Sequence, residues 1–162
     1  MDELHATAFE TRILLSIVNK WAARCLEQRL HAAGLPISSL QYGMMRLLCR
    51  EQHTISELSR KMALAPATLV PAVDVLERHG YIERGHDPKD RRRTPLALTD
   101  RGAAILSGIP PVVDDDVLVR ALAVLGAEKR GQLLALLRDL FGALPDGAAM
   151  AAEVAELVER ME

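Results

Sequence analysis

The sequence predicts a mainly α protein with one small β-hairpin, and three observations support this prediction. First, 49% of the 162 residues are hydrophobic but only 3% are aromatic, so the core must consist largely of aliphatic side chains, and Leu, Ala and Met favour helices. Second, apolar residues recur at helical spacing in several segments. Third, two short extended segments flank a polar, charged stretch, a pattern typical of a hairpin.

The first predicted helix runs from about Ala8 to Ala33. Gly34 and Pro36 end it, because glycine favours a helix C-terminus and proline cannot continue the helix. Apolar residues recur along it at helical spacing and form one long stripe. The stripe consists of Phe9, Ile13, Ile17, Trp21, Cys25 and Leu26.

Two capping boxes mark the starts of two further helices. Ser38 and Gln41 form the first box: the serine oxygen accepts a first-turn N–H while the glutamine side chain reaches back. Thr54 and Glu57 form the second box, which begins a short helix. A tight segment of small residues follows, and then a helix that ends at Gly80, where glycine accepts a left-handed conformation. Two short helices joined in this way are a helix-turn-helix.

The second helix of this pair contains Pro71, and two starting points are compatible with it. If Thr68 is the N-cap, Pro71 lies in the first turn, where backbone N–H groups have no intrahelical acceptor. If the helix begins at Pro66, Pro71 lies further inside and is expected to kink it. The sequence leaves both starting points open.

The hairpin is predicted from segments 81–84 and 94–98, and the chain around it is basic. Residues 78–93 contain six Lys or Arg residues against three Asp or Glu residues, a net charge of +3. Residues 46–101 also carry +3 and residues 112–162 carry −5, within a total of −2. Because one basic face suffices to bind DNA, the overall charge does not exclude a nucleic-acid partner.

Further helices follow the hairpin. Thr99 caps one that Pro110 interrupts; a second spans about Ala127 to Leu144, and a third runs to Glu162. One winged module cannot bury the apolar stripes of these helices and of the first helix, so we expect a homodimer. The two C-terminal stripes consist of Leu133, Leu137, Leu140, Phe141 and Leu144, and of Met150, Val154, Leu157, Val158 and Met161.

This order of elements predicts a winged helix-turn-helix. In such a module one helix enters the major groove of duplex DNA, and the arginine-bearing tip of the hairpin, or wing, reaches the adjacent minor groove or backbone. We assign the DNA-binding module to residues 34–102. Residues 1–33 and 103–162 are predicted to form a helical dimerisation region.

Residues 76–102 resemble the wing signature of the MarR family of transcriptional regulators. The matching residues are Gly80, the run Asp90-Arg91-Arg92 and the run from Leu98 through Thr99 to Gly102. The resemblance implies a homodimeric regulator on a palindromic operator, with Arg92 oriented by Asp90 as the deepest wing contact. The predicted DNA-binding residues are Thr68, Leu69, Val70, Arg78, Lys89, Asp90, Arg91, Arg92 and Arg93.

Two further segments, 68–71 and 109–110, are similar to the OhrR branch of the family, which senses organic hydroperoxides. The peroxide-reactive cysteine of that branch lies early in the first helix, near Ile13, where this chain has none. Cys25, on the apolar stripe, is interpreted as a buried structural thiol, because a reactive cysteine needs an exposed, electropositive setting. Cys49, near Arg46, is the better redox candidate of the two.

A regulator of this kind is expected to release DNA on a small-molecule or redox signal. Trp21, Tyr42 and Met45 could line an effector pocket where the long helices meet the winged module. The alternative is that these three side chains are core packing. For the redox signal, oxidation of Cys25 or Cys49 is the competing hypothesis.

The sequence contains no motif that indicates an enzyme, a cofactor site or a metal site. It contains no Gly-rich phosphate loop, no H-E-x-x-H and no nucleophile elbow, and its five histidines are scattered. No apolar run approaches the roughly 20 residues that span a bilayer, and the N-terminus does not resemble a signal peptide. We therefore expect a cytoplasmic protein with no cofactor and no membrane partner.

One alternative function stays open. The predicted recognition helix is apolar: Ala67, Leu69, Val70, Pro71 and Ala72 offer few groups that could address base edges. A winged-helix module that has lost sequence-specific DNA binding and serves protein contacts is compatible with that composition. The predicted partners are therefore double-stranded DNA, a second copy of the chain and an effector, with a protein partner as the alternative.

Overall fold

The computed structural model describes residues 2–86 and 93–159. The predicted mainly α fold with one hairpin is confirmed. Two units are distinguished, the first ending at Val117 and the second beginning at Leu118. The elements in chain order are α1 (Glu3–Ala32), α2 (Ser39–Leu48), α3 (Ile55–Met62), α4 (Pro66–Arg78), β1 (Ile82–Arg84), β2 (Leu96–Leu98), α5 (Asp100–Gly108), α6 (Val117–Gly142) and α7 (Gly147–Glu159).

Helix α1 is longer than its apolar stripe predicted. It begins at Glu3 because the Asp2 side chain caps it and accepts from the His5 backbone N–H at 2.9 Å. The helix ends before Gly34, which takes a left-handed conformation with φ 72°. The start predicted at Ala8 was therefore wrong, since a polar first turn carries no periodic signal.

Both predicted capping boxes are confirmed. In α2 the Gln41 backbone N–H donates to Ser38 Oγ at 3.2 Å, and the Ser38 N–H donates to Gln41 Oε1 at 2.8 Å. In α3 the Glu57 N–H donates to Thr54 Oγ1 at 3.3 Å, and the Thr54 N–H donates to Glu57 Oε2 at 2.7 Å. These reciprocal bonds satisfy N–H groups that a helix start leaves without partners.

Helix α4 begins at Pro66, so the alternative with Thr68 as N-cap is wrong. Ala65 is the N-cap, and the Thr68 N–H already donates to the Ala65 carbonyl at 2.9 Å within the first turn. The helix continues through Pro71. Pro71 offers no N–H to the Ala67 carbonyl, but Ala67 is exposed, so water can serve that carbonyl.

The hairpin strands β1 and β2 pair antiparallel, with Ile82 opposite Leu98 and Arg84 opposite Leu96. His53, just before α3, adds a bridge that the sequence did not predict. Its N–H donates to the Leu96 carbonyl at 3.2 Å, and the Leu96 N–H donates to the His53 carbonyl at 2.8 Å. The base of the wing is thereby attached to the chain that leads into the helix-turn-helix.

The core of the first unit combines side chains from α1 to α5 and from both strands. Tyr42 is buried in it, and its hydroxyl donates to the Ile109 carbonyl at 2.7 Å. Arg29 donates to the next carbonyl, that of Pro110. The fully buried large side chains are Leu30, Met44, Met45, Leu58, Leu69, Val73, Leu76, Ile82 and Leu96.

The second unit contains most of α6 and all of α7. Gly126 interrupts α6 with φ 76° and ψ 166°, which agrees with a helical segment predicted from about Ala127. Across residues 2–86 and 93–159, no helix combines the length and apolar content that a bilayer crossing needs. The assignment of residues 1–33 and 103–162 to one dimerisation region stays a prediction.

Candidate nucleic-acid interface

A short left-handed turn joins α3 to α4. Ala63 takes the left-handed conformation with φ 51°, and the Leu64 N–H donates to the Ser59 carbonyl at 3.1 Å. Ser59 Oγ in turn donates to the Leu64 carbonyl at 2.5 Å. The two helices are therefore held in a fixed helix-turn-helix geometry with α4 as the second helix.

The first half of α4 divides cleanly into a buried and an exposed face. Leu69 is fully buried in the core, so its predicted role as a DNA contact is wrong: a side chain without accessible surface cannot reach a base. The exposed positions are Pro66, Ala67, Thr68, Val70 and Pro71, and Val70 is 40% exposed. Thr68 and Val70 thus stay available for the predicted role.

Arg78 lies at the C-terminal end of α4 and is exposed. Its Nε donates to the Asp74 carbonyl of the preceding turn at 3.3 Å, while solvent reaches the side chain. A cation at this end of the helix also complements the helix dipole. Its predicted contact with DNA stays a prediction.

Arg84 of β1 holds the wing against α4. Its Nη2 lies 2.6 Å from Asp74 Oδ1, and its Nη1 lies 3.1 Å from Glu77 Oε2. Arg84 is one of the six basic residues of the segment 78–93, and it neutralises two carboxylates of the helix. Asp74 and Glu77 are the two acidic residues of α4 and lie three residues apart, and that acidic pair is the signal that could have predicted a basic partner.

Arg93 ties the other end of the wing to α3. Its Nη2 donates to Glu57 Oε1 at 2.7 Å, while Glu57 Oε2 accepts from the capping-box N–H of Thr54. The backbone N–H of Thr54 lowers the pKa of Glu57 against the opposing effect of burial, and the Thr54 side chain, Arg93 and His53 lower it further. The predicted contacts Lys89, Asp90, Arg91 and Arg92 lie outside the described residues.

Three signature residues that flank the wing, Gly80, Thr99 and Gly102, lie close together. Thr99 Oγ1 donates to the Gly80 carbonyl at 2.7 Å and accepts from the Gly102 N–H at 3.1 Å, so it caps α5 and fixes the end of α4. Gly80 has φ 69°, a conformation that favours glycine. A Cβ on Gly102 would lie 2.2 Å from the Tyr81 carbonyl oxygen, so only glycine fits there.

Comparison with known proteins identifies the family. The sequence model of the protein family described as "MarR family" matches residues 41–94 of this chain. The transcriptional regulator HosA of Escherichia coli is 31% identical over 110 residues, which cover 64% of this chain and 76% of HosA. This chain belongs to the MarR family. Members of this family are transcriptional regulators rather than enzymes.

Other comparisons extend this MarR-family assignment. YkoM of Bacillus subtilis, an HTH-type regulator, is 29% identical over 99 residues, which cover 60% of this chain and 64% of YkoM, slightly less than two thirds of its length. A serine variant of MarR from E. coli, crystallised with operator DNA, matches with a TM-score of 0.73 and 26% identity over 90% of this chain and 100% of that one. The likeness to the OhrR branch stays a prediction.

The residues predicted for effector sensing occupy different environments. Tyr42 and Met45 belong to the buried core, whereas Trp21 is 54% exposed on α1, with the guanidinium of Arg24 5.7 Å from its ring centre. Cys25 is half-buried and Cys49, the C-cap of α2, is exposed. The effector pocket and the redox role of the cysteines stay predictions.

The lowered pKa of Glu57 predicts how the free energy of unfolding depends on pH. Because the folded-state pKa lies below the unfolded value, ionised Glu57 stabilises the fold above the ordinary carboxyl pKa, and this contribution disappears as the pH falls through the lowered pKa. Glu57→Gln keeps the capping box but loses the charge. We expect it to reduce the free energy of unfolding by about 1 kcal/mol at neutral pH.

Urea unfolding of both proteins across the acid range measures this difference. The gap between wild type and Glu57→Gln should narrow towards zero at the acid end. A gap that stays constant with pH would show that the ionised carboxylate contributes nothing at the base of the wing.

Proposed function

We propose that this protein is a transcriptional regulator that binds operator DNA as a homodimer, with α4 as its recognition helix. The observation that carries the proposal is the extended similarity to MarR of E. coli in its complex with operator DNA, with a TM-score of 0.73 over 90% of this chain. The chain contains a helix-turn-helix, formed by α3 and α4, and a hairpin that follows it. They provide one helix for the major groove and one wing beside it.

The charges of the module support the same proposal. Arg78 is exposed at the end of α4, and the masking of Asp74 and Glu77 by Arg84 removes two carboxylates that would repel phosphates. The sequence of the wing segment contains three further basic residues, Lys89, Arg91 and Arg92. Such a basic surface supplies the sequence-independent part of DNA affinity.

The homodimer is proposed from the apolar surface that one chain leaves in water. In α1 the side chains of Phe9, Leu14 and Trp21 are each more than half exposed. In α6 Leu133, Leu137 and Leu140 are exposed on one helical face. Apolar stripes of this length are typical of surfaces that a second subunit covers.

The release signal is proposed to be a small molecule or an oxidant. Trp21, Tyr42 and Met45 are the candidate residues for the small molecule, and Cys25 or Cys49 for oxidation. The exposure of Cys49 supports it as the more accessible thiol. A double variant, Cys25→Ser with Cys49→Ser, distinguishes the two signals, because it removes only the response to an oxidant.

One observation favours a second function, docking of a protein partner. The exposed face of α4 carries little polar chemistry, as expected for a winged helix that contacts proteins. Selection of bound sites from a random pool of duplexes decides between the two functions. We expect a palindromic motif whose half-sites lie about one helical turn apart, roughly 34–36 Å. A pool that does not converge would contradict DNA reading and favour the protein partner.

Arg92 is proposed as the deepest wing contact, oriented by Asp90. Arginine suits the negative potential of a narrow minor groove, so Arg92→Ala should weaken binding to the selected duplex by about 1–3 kcal/mol. Arg120→Ala, which removes an exposed arginine of α6, is the matched control and should leave affinity unchanged. Equal affinity of both variants in a gel-shift titration would show that the wing does not contact DNA.

A further inference from the structure

The exposed surface at the start of α4 has an unusual chemistry for a recognition helix. Its accessible side chains are Pro66, Ala67, Thr68, Val70 and Pro71, so one hydroxyl is the only polar side-chain group among them. No guanidinium, amide or carboxylate occurs in α4 before Asp74. The bidentate hydrogen bonds that usually identify guanine or adenine therefore have no donor or acceptor here.

The charged residues of α4 lie in its second half. Asp74 follows Thr68 by six residues, which is about 9 Å along the helix axis. Asp74 and Glu77 are bound to Arg84, and Arg78 contacts the backbone of its own helix. In helix-turn-helix proteins the N-terminal residues of the recognition helix contact the base edges. Any contact of α4 with base edges is therefore expected from its apolar first half, residues 66–71.

The major groove offers one apolar feature to such a surface. Each base pair presents hydrogen-bonding groups there, and thymine alone adds a methyl group at C5. An aliphatic side chain gains free energy by removing this methyl group from water, without any hydrogen bond. Thymine methyl groups are therefore the base feature that matches the exposed face of α4.

We propose that the first half of α4 selects operator positions by contact with the 5-methyl groups of thymine, with Val70 as the main contact. Val70 is the largest exposed side chain of this face that is neither ring-locked nor polar, at 40% exposure. Ala67, three residues earlier, lies beside Val70 on the helix surface, whereas Thr68 lies towards the other edge of the exposed face. The proposal rests on the proposed binding of operator DNA and defines what that binding reads.

Deoxyuridine substitution tests the proposal, because uracil differs from thymine only by the missing methyl group. The probe is the duplex selected from the random pool, remade with uracil in place of one thymine at a time. At one or two positions in each half-site we expect about fourfold weaker binding, and about 16-fold when both half-sites are changed. Substitutions at the remaining thymines should leave affinity unchanged.

Val70→Ala links the effect to the side chain. In this variant the methyl-dependent loss at the contacted position should shrink to less than twofold, while the uracil duplex binds both proteins with similar affinity. Val112→Ala, which shortens an exposed valine outside α4, is the matched control and should retain the fourfold loss. Thermal unfolding of both variants checks that the fold is kept.

Three results would overturn these ideas at different levels. If every uracil duplex binds as well as the parent, the thymine-methyl proposal is wrong while DNA binding stands. If the loss persists unchanged in Val70→Ala, the assignment to Val70 is wrong. If no duplex is selected in the first place, the proposed function fails, and the reading of thymine fails with it.

Discussion

Replacing Leu133 and Leu137 together with aspartate is expected to convert the proposed dimer into a monomer. Both leucines lie on one face of α6 and are more than one third exposed in a single chain. If a second subunit covers this face, each aspartate becomes a buried charge without a partner, which costs several kcal/mol. The dissociation constant of the dimer should rise at least about a hundredfold.

Light scattering over a dilution series measures this change. Ala135→Asp is the matched control: Ala135 is exposed on the opposite face of the same helix, so its aspartate should stay in water and leave the dimer intact. A double variant that elutes and scatters as the wild type would place the dimer interface elsewhere. Loss of the dimer in Ala135→Asp would point to general unfolding of α6 instead.

Gly102→Ala is expected to destabilise the protein strongly. The new Cβ would lie 2.2 Å from the Tyr81 carbonyl oxygen and 2.7 Å from a methyl carbon of Leu98. The Tyr81 backbone on one side and the Leu98 side chain on the other leave α5 little room to move away from the new Cβ. We expect a loss of about 3 kcal/mol, a large share of the stability of a typical domain.

Urea unfolding followed by circular dichroism measures this loss. Gly108→Ala is the matched control, because Gly108 also lies in α5 and a Cβ there meets nothing within 4 Å. The control should be neutral or slightly more stable, since alanine favours helices. Equal stability of the two variants would show that α5 can move away from Tyr81 at no cost.

The parts of the fold that depend on local chemistry were predictable from the sequence. Ser38 with Gln41 and Thr54 with Glu57 determine two helix starts within four residues each, so no distant contact is needed. Gly80 likewise marks the end of α4 through its own backbone preference. The order of helices and hairpin followed from these local signals.

The predictions for α4 were wrong where two residues have similar local preferences for a helix start, or where contacts with distant residues determine the structure. Thr68 and Pro66 are both good helix starters, and the burial of Leu69 in the core favours the earlier start. The spacing of Leu69, Val73 and Leu76 already placed Leu69 on the apolar face of α4, so its assignment as a DNA contact conflicted with the periodicity. A recognition-helix residue that packs inward cannot also contact DNA.

The ion pairs between the wing and the helices could not be predicted from the sequence, because they join residues that are distant along the chain. Arg84 and Arg93 contribute to an apparent excess of positive charge, yet each is bound to carboxylates, Arg84 to Asp74 and Arg93 to Glu57. The second of these pairs is separated by 36 residues, beyond any local pattern. Counting charges along a segment therefore overestimates the charge that a wing presents to DNA.

The affinity ratio for two duplexes tests the central claim most directly. The protein is titrated with the selected duplex and with a scrambled duplex of the same composition, at about 50 and 200 mM salt. A regulator that reads operator DNA should prefer the selected duplex by at least about a thousandfold and lose affinity for both at the higher salt. Equal affinity for the two duplexes would contradict the claim that α4 and its wing form a sequence-reading surface.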